Sequence, residues 1–411
     1  MSKYLKILVA TLAAVALATP AVALTLDAKG LFIVAGIMSD NVRDADDDND
    51  DSSAAVEQRF RLMTTAALND AVKAVIELES DYAWGQGNGA LRADQTNELE
   101  LRSAYLDFTT MDANFKVGTH TFNLGSGYII NEQASGISVK YRGLGLSWIK
   151  IDEQTNTAYD NGYTPDSEGL EKDYYGVNYA VKAGDFTLVP EVGYMKDGDA
   201  NMDVYFFGAG AKGQMDKLSL QASLMFSSWD VDGGDDGLGT AAFAKALYVD
   251  GPTSFGISAA YVGDEDTPTG EFVDVEGLQN WSEVLTGGEF SKLTTAGIAA
   301  LDGVGKDNLP GLYYSNYMYV RLDAGTRLFN EKSGIRAAYI YAQQAADMGP
   351  VSSITFGHEI DAYFDYAITK GLKWTTGGGY LLVDDEFGEA LSGTGASDNM
   401  WKLGTKLTYV F

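Results

Sequence analysis

The strongest constraint on the fold is a period of two. Residues 354–369 place Ile354, Phe356, Ile360, Ala362, Phe364, Tyr366 and Ile368 on one side of an extended chain. Thr355, Glu359, Asp361, Tyr363, Asp365 and Thr369 fall on the other. Successive side chains of a strand point to opposite faces, so this alternation describes a strand with two different environments. Residues 71–84 repeat it, with Val72, Ala74, Ile76, Leu78, Tyr82 and Trp84 against Lys73, Glu77, Glu79 and Asp81. Residues 217–227 set Leu218, Leu220, Ala222, Leu224 and Phe226 against Lys217, Ser219, Gln221, Ser223 and Ser227.

A soluble sandwich alternates too, but length and charge separate the cases. These segments run well beyond the roughly 5–6 residues of an ordinary soluble strand. Their polar faces also carry full charges in mid-strand. A Lys or Arg facing hydrocarbon at mid-membrane costs roughly 2–4 kcal/mol, whereas a wet interior accepts it. Apolar-out, polar-in alternation therefore predicts a wall between lipid and water.

The connections alternate as well. Tight turns are predicted at Asn69-Asp70, Met111 to Ala113, Arg142-Gly143, Gly184-Asp185, Met215-Asp216, Gly251-Pro252, Glu331 to Ser333 and Lys370-Gly371. Longer glycine-rich, acidic loops are predicted near residues 39–54, 85–97, 121–135, 152–172, 197–201, 230–239, 264–308, 344–353 and 384–397. Short turns on one rim and long loops on the other are the habit of transmembrane barrels. The expected fold is an all-β, antiparallel transmembrane barrel of eighteen strands. Sixteen is the alternative, because segment 24–38 is apolar on both faces and 240–250 alternates weakly. The 264–308 loop has room for a short helix around 290–301, packed on or into the barrel mouth.

The N-terminus reads as an export signal: Lys3 and Lys6, an apolar stretch from Ile7 to Leu17, then Ala21-Val22-Ala23. The apolar stretch is shorter than the roughly 20 residues a membrane-spanning helix needs. Residues 1–23 are thus expected to be removed, leaving 24–411 as one barrel domain. The chain has no cysteine, which excludes a disulfide framework, a covalent haem attachment and a lipid anchor on cysteine. Its net charge of −29 argues against nucleic acid, whose phosphates need a basic footprint. That acidity suits small cations, or divalent ions shared with anionic surface lipid, as well as plain solubility.

The last strand alternates to its end. Trp401, Leu403, Leu407, Tyr409 and Phe411 share one face, and Lys402, Gly404, Lys406 and Thr408 the other. A terminal aromatic preceded by hydrophobics at every second position resembles the assembly signal of outer-membrane barrels, and implies delivery to the barrel assembly machinery. A second resemblance is local. Leu101-Arg102-Ser103-Ala104-Tyr105-Leu106-Asp107-Phe108, a turn, and Phe115-Lys116-Val117-Gly118 resemble a hairpin of bacterial porins. In that family the following loop folds inward and narrows the pore. The resemblance therefore implies a constriction within 119–135, carried by Phe122, Asn123, Asn131 and Glu132, where only Glu132 is an acid. It also implies a homotrimer in the Gram-negative outer membrane, among lipid and lipopolysaccharide.

Chemistry-bearing residues are few. The two histidines, His120 and His358, leave little scope for a catalytic triad or a metal cluster, and no serine is clearly placed beside His358, which faces outward by parity. An outer-membrane hydrolase is the enzyme alternative, and a receptor or adhesin barrel with a plugged lumen is the binding alternative. In the run 44–51, the carboxylates of Asp44, Asp46, Asp48 and Asp50 alternate as calcium ligands do. The glycine and the closing Glu of a calcium loop are replaced by Asn49 and Ala55, so a solvated acidic loop competes with that reading. No other cofactor is expected.

Inward parity collects Arg59, Arg61, Lys73, Glu77, Glu79, Asp81, Glu98, Glu100 and Arg102 along one arc of the wall. It also collects Lys116, His120, Arg321, Asp323, Arg327, Arg336, Glu359, Asp361 and Asp365. These are the expected pore-lining residues. A lumen of both signs beneath acidic loops predicts passive diffusion of small hydrophilic solutes, with a weak preference for cations.

Overall fold

The computed structural model describes residues 24–42, 45–48, 52–84, 99–152, 171–198, 201–232, 236–263, 272, 281–286, 289–290, 316–328, 332–347 and 353–411. The expected signal segment, Glu98, Asp44, Asp50 and positions 291–301 of the expected helix lie outside them.

The chain runs as antiparallel strands. The first arc is β1 (Thr25–Asp40), β2 (Ser53–Asn69), β3 (Val72–Ala83), β4 (Glu100–Thr110), β5 (Ala113–Leu124), β6 (Ile130–Tyr141) and β7 (Leu144–Asp152). Then follow β8 (Lys172–Tyr179), β9 (Val181–Ala183), β10 (Phe186–Asp197), β11 (Met202–Met215), β12 (Leu218–Val231), β13 (Asp236–Asp250) and β14 (Thr253–Gly263). The last arc is β15 (Tyr317–Leu328), β16 (Ser333–Gln343), β17 (Thr355–Thr369), β18 (Leu372–Val383) and β19 (Met400–Val410). β8 and β9 both pair with β10, so they are two pieces of one strand interrupted at Ala180. The barrel therefore has eighteen strands, and the sixteen-strand alternative falls: both weak segments are strands, β1 and β13.

Closure is direct. β1 pairs with β19 from Leu31↔Val410 to Asp40↔Trp401. Phe411 then exchanges both backbone hydrogen bonds with Gly30. Its ring lies where a side chain at position 30 would stand, 2.0 Å from an added Cβ. The aromatic terminus thus seals the seam.

Two-residue turns join β2–β3, β4–β5, β6–β7, β9–β10, β11–β12, β13–β14 and β17–β18. Met111 and Asp112 both take positive φ, as do Arg142 and Gly143, the conformation that matches the right-handed twist of the flanking strands. On the opposite rim, the next described strand after β14 is β15, which begins at Tyr317, and the expected loop end near 308 lies outside the described residues. One expectation there needs correction. Segment 384–397 holds a short helix, α1 (Asp385–Ser392), whose N-cap Asp384 accepts from the Glu386 amide and whose Phe387 and Leu391 are buried.

The outer wall is apolar and uncovered. Val320, Leu322, Ile335, Ile360, Leu382, Leu403 and Leu407 are each 44–52% exposed, a contiguous apolar band that water would not tolerate and hydrocarbon does. Tyrosines edge it on both sides. Tyr175, Tyr194 and Tyr205 stack in a row near the loop rim, and Tyr141, Tyr179, Tyr248, Tyr366 and Tyr409 lie toward the turns. Paired aromatic girdles around an apolar belt fit a membrane-embedded barrel.

Candidate solute pathway

The interior is organised by a hairpin. β5 stays paired with β4 only as far as Ala104↔Thr119, and β6 begins pairing with β7 at Ser135↔Lys150. Beyond those points, 120–124 and 130–134 pair only with each other. The departure is made at Gly118↔Gly136. Gly118 holds φ +123°, and an added Cβ would stand 2.3 Å from the Ala104 carbonyl oxygen; at Gly136 it would stand 2.2 Å from that of Trp148.

The tip, a turn of 3₁₀ helix at Gly125–Gly127, crosses the interior. The Gly125 amide donates to Glu191 Oε2 on β10 at 3.0 Å, and the Tyr128 ring lies 6.4 Å from Phe243 on β13. Ile129 and Ile130 are buried there. Residues 119–135 do fold inward, but as a paired hairpin and not as an open loop. Phe122 is buried beneath it. Asn123 and Asn131 bond each other across its polar face, continued by Thr121–Gln133 and Thr119–Ser135. Glu132 stands 3.9 Å from Arg102.

The expected charges gather in two groups. On β2–β4, Arg59 donates to Asp81 at 2.8 Å, Arg61 to Glu79, and Arg102 to Glu79 at 3.1 Å. Across the lumen Arg321 donates to Asp323 at 2.8 Å, and Arg336 to Asp365 at 2.7 Å, with Lys373 on the same carboxylate at 2.8 Å. Except for Arg321–Asp323, which lies within β15, these pairs cross-link neighbouring strands, and all of them cancel much of the local field.

Four expected pore-lining residues are buried: Glu79 lies beneath Arg59, Arg61 and Arg102, and three others are covered in different ways. His120 is buried, with Nδ1 3.0 Å from the Gly118 carbonyl, Nε2 3.0 Å from Ser138 Oγ, and Phe122 packed over the ring. Glu359 and Asp361 are fully buried, because residues 281–286 of the long loop lie over them. Burial pushes the Glu283 carboxyl of that segment above its usual range, against the pull of Lys402 at 3.1 Å.

His358 faces outward, its Nδ1 2.7 Å from the Tyr339 hydroxyl and its ring between Tyr339 and Tyr341. In the acidic loop, Asp46 accepts from the Asp48 amide and the Thr394 hydroxyl. No group of three metal-ligating side chains occurs among the described residues.

The wall charges also sort by height, which parity alone does not reveal. Toward the turns, Lys116, Lys140 and Lys212 border a cavity of about 760 Å³, and Lys245 borders a second of about 540 Å³. None of the four has an acidic ion-pair partner among the described residues. Lys116 lies instead 5.3 Å over the Tyr105 ring.

The eighteen-stranded barrel has counterparts among solved structures. OpdQ of Pseudomonas aeruginosa matches with a TM-score of 0.57 at 12% identity, over 94% of this chain and 97% of that one. This chain has a porin fold. The outer-membrane protein OpdK of the same organism matches at 0.56 and 13%, over 94% and 98%. OccK2 (OpdF), solved in complex with glucuronate, matches at 0.55 and 11%, over 94% and 96%. No protein-family model matches the chain, and no curated protein sequence does.

Seen from this porin fold, sequence reasoning missed Glu283 and Glu289, which reach Lys402 and Lys406. Their loop carries no pattern, but their seat does. Inward positions Gly379 and Gly404 are empty where the pattern elsewhere places charge, and an added Cβ would strike Glu283 at 2.9 Å and the Phe290 ring at 2.3 Å.

Proposed function

We propose that the protein is a passive diffusion channel for small hydrophilic solutes and ions in a Gram-negative outer membrane. The observation that carries this reading is the contrast between the two faces of one wall: uncovered apolar side chains outside, ion pairs and lysine-bordered cavities inside. Ordered charges around a water-filled passage let hydrated solutes through while setting their electrostatic preference. Lipid and lipopolysaccharide surround it, and the resemblance to porins favours a homotrimer. The acidic loops favour cations at the mouth, with calcium a candidate ligand of run 44–51. Export by residues 1–23 and insertion by the barrel assembly machinery complete the reading.

Reconstitution into planar bilayers tests it directly: discrete, ohmic conductance steps are expected. A second reading, a receptor with a closed lumen, draws on the apolar cluster that Leu124, Ile129, Trp281, Val284, Leu285 and Phe387 build inside the barrel. Folded protein without conductance would favour that second reading.

A further inference from the structure

Residues 281–286 and 289–290 lie against the inner wall of β17–β19, and the first group is held there by one unusual contact. The Glu359 carboxylate accepts three successive backbone amides: Oε1 takes Glu283 and Val284, each at 2.7 Å, and Oε2 takes Leu285 at 3.3 Å. Successive amides converging on one anion form a concave nest, and here the anion belongs to the wall. Glu359 is fully buried, so without it the Glu283 and Val284 amides would be left facing a dry interior, whereas the Leu285 amide also reaches Ser282 Oγ at 2.9 Å.

The segment then folds back on itself. Glu283 accepts from the Glu289 amide at 2.6 Å and from the Tyr363 hydroxyl at 2.9 Å. Phe290 closes the far end over Gly404, and Lys406 donates to the Glu289 carbonyl at 2.8 Å. The wall is shaped to receive this segment. Ile33, Ala35 and Ile37 on β1 are apolar on the inward face because Phe290 and Tyr363 cover them.

We propose that Glu359 is the positioning residue that clasps residues 281–286 to the wall as a fixed strap, and that this clasp sets the upper size of solute the lumen admits. Each lysine contact holds one carboxylate or carbonyl, and Ser282 and Thr286 tie the segment only to itself, whereas Glu359 is the wall carboxylate that takes three successive amides. The strap and the Glu289 that follows it narrow the lumen beside Arg321 and Arg336: Arg321 donates to the Trp281 carbonyl at 2.5 Å, and Arg336 stands 3.8 Å from Glu289. Glu359→Gln keeps the size of the side chain but turns an amide donor toward the nest, so the strap should lift.

The size-limit half of this proposal rests on the channel reading; the clasp half does not. The chain has no cysteine, so Val284→Cys, at a fully buried position, gives one reporter. In otherwise unchanged protein it should resist a polar maleimide. Adding Glu359→Gln should speed labelling roughly tenfold or more, as loss of local protection does. It should also raise single-channel conductance and admit larger polyethylene glycols.

Equal labelling and equal size limits with and without Glu359→Gln would overturn the proposal. If unchanged protein fails to conduct, the channel reading falls, and labelling still decides whether Glu359 holds the strap. If Glu359→Gln does not give a heat-modifiable barrel, Glu359→Asp replaces it. Its shorter carboxylate should give intermediate labelling, and failure of both to assemble would make Glu359 part of wall folding and refute the clasp.

Discussion

Leu220 and Gln221 are neighbours in β12 and face different solvents. Leu220 sits on the outer wall with Ala222, Ala246 and Ile257, while Gln221 borders the inner cavity shared with Lys212. Arginine at position 220 should destabilise the barrel in lipid by roughly 2–4 kcal/mol, the cost of a mid-membrane cation. Arginine at 221 should be nearly neutral, its repulsion from Lys212 screened by water. Denaturant titration of folding into vesicles measures both, and equal costs would mean the parity assignment is wrong. Parity was legible in the sequence wherever one face meets lipid and the other water, because only two environments compete. It failed at His120, Glu359 and Asp361. Their parity is inward, but Phe122 of the same hairpin packs over His120, a distant segment covers Glu359 and Asp361, and no local period encodes what will lie on top.

At the scale of elements, the hairpin and the closing strand make separate predictions. The hairpin leaves the wall at Gly118, whose φ of +123° and crowded Cβ position exclude a side chain. Gly118→Val should cost about 1–3 kcal/mol of backbone strain and alter single-channel conductance, because the tip loses its aim at Glu191. Unchanged stability and conductance would show that the hairpin is not set by this bend. For β19, deleting Phe411 removes the ring over Gly30 and two seam hydrogen bonds. Truncated chains should accumulate in the periplasm, and normal surface levels by protease shaving would count against an assembly role.

The elements themselves were readable because turn residues and alternation are local signals. Two-residue turns came out where Asn, Asp and Gly permit positive φ. β1 was ambiguous for a physical reason: its inward Ile33, Ala35 and Ile37 contact Phe290, far away in sequence, so it reads as apolar on both faces. The inward hairpin was legible as a segment only through its resemblance. Its strand pairing was hidden, since the polar face Thr119–Thr121–Asn123 looks like a loop.

For the whole molecule the decisive quantity is where charge lies along the axis. The net charge is −29, and the run 44–51 on the loop rim is its densest part. The mid-lumen arginines and Lys373 are paired with acids, whereas Lys116, Lys140, Lys212 and Lys245 have no acidic ion-pair partner among the described residues. An acidic mouth acts on ions through a long-range field, which salt screens over roughly 10 Å at 0.1 M and roughly 3 Å at 1 M. Lysines bordering the inner cavities act at closer range and are screened less. The channel should therefore prefer K⁺ to Cl⁻ at low ionic strength, and that preference should fade near 1 M. Replacing the aspartates of 44–51 with asparagine should weaken the low-salt preference without closing the pore, and the remaining lysines should then tilt it toward Cl⁻. Reversal potentials under KCl gradients at two mean concentrations read out both effects. Anion preference in unchanged protein at low salt would show that the inner lysines outweigh the mouth. Cation preference undiminished near 1 M would instead place an acid at the narrowest point, with Glu132 on the inward hairpin the residue to replace first.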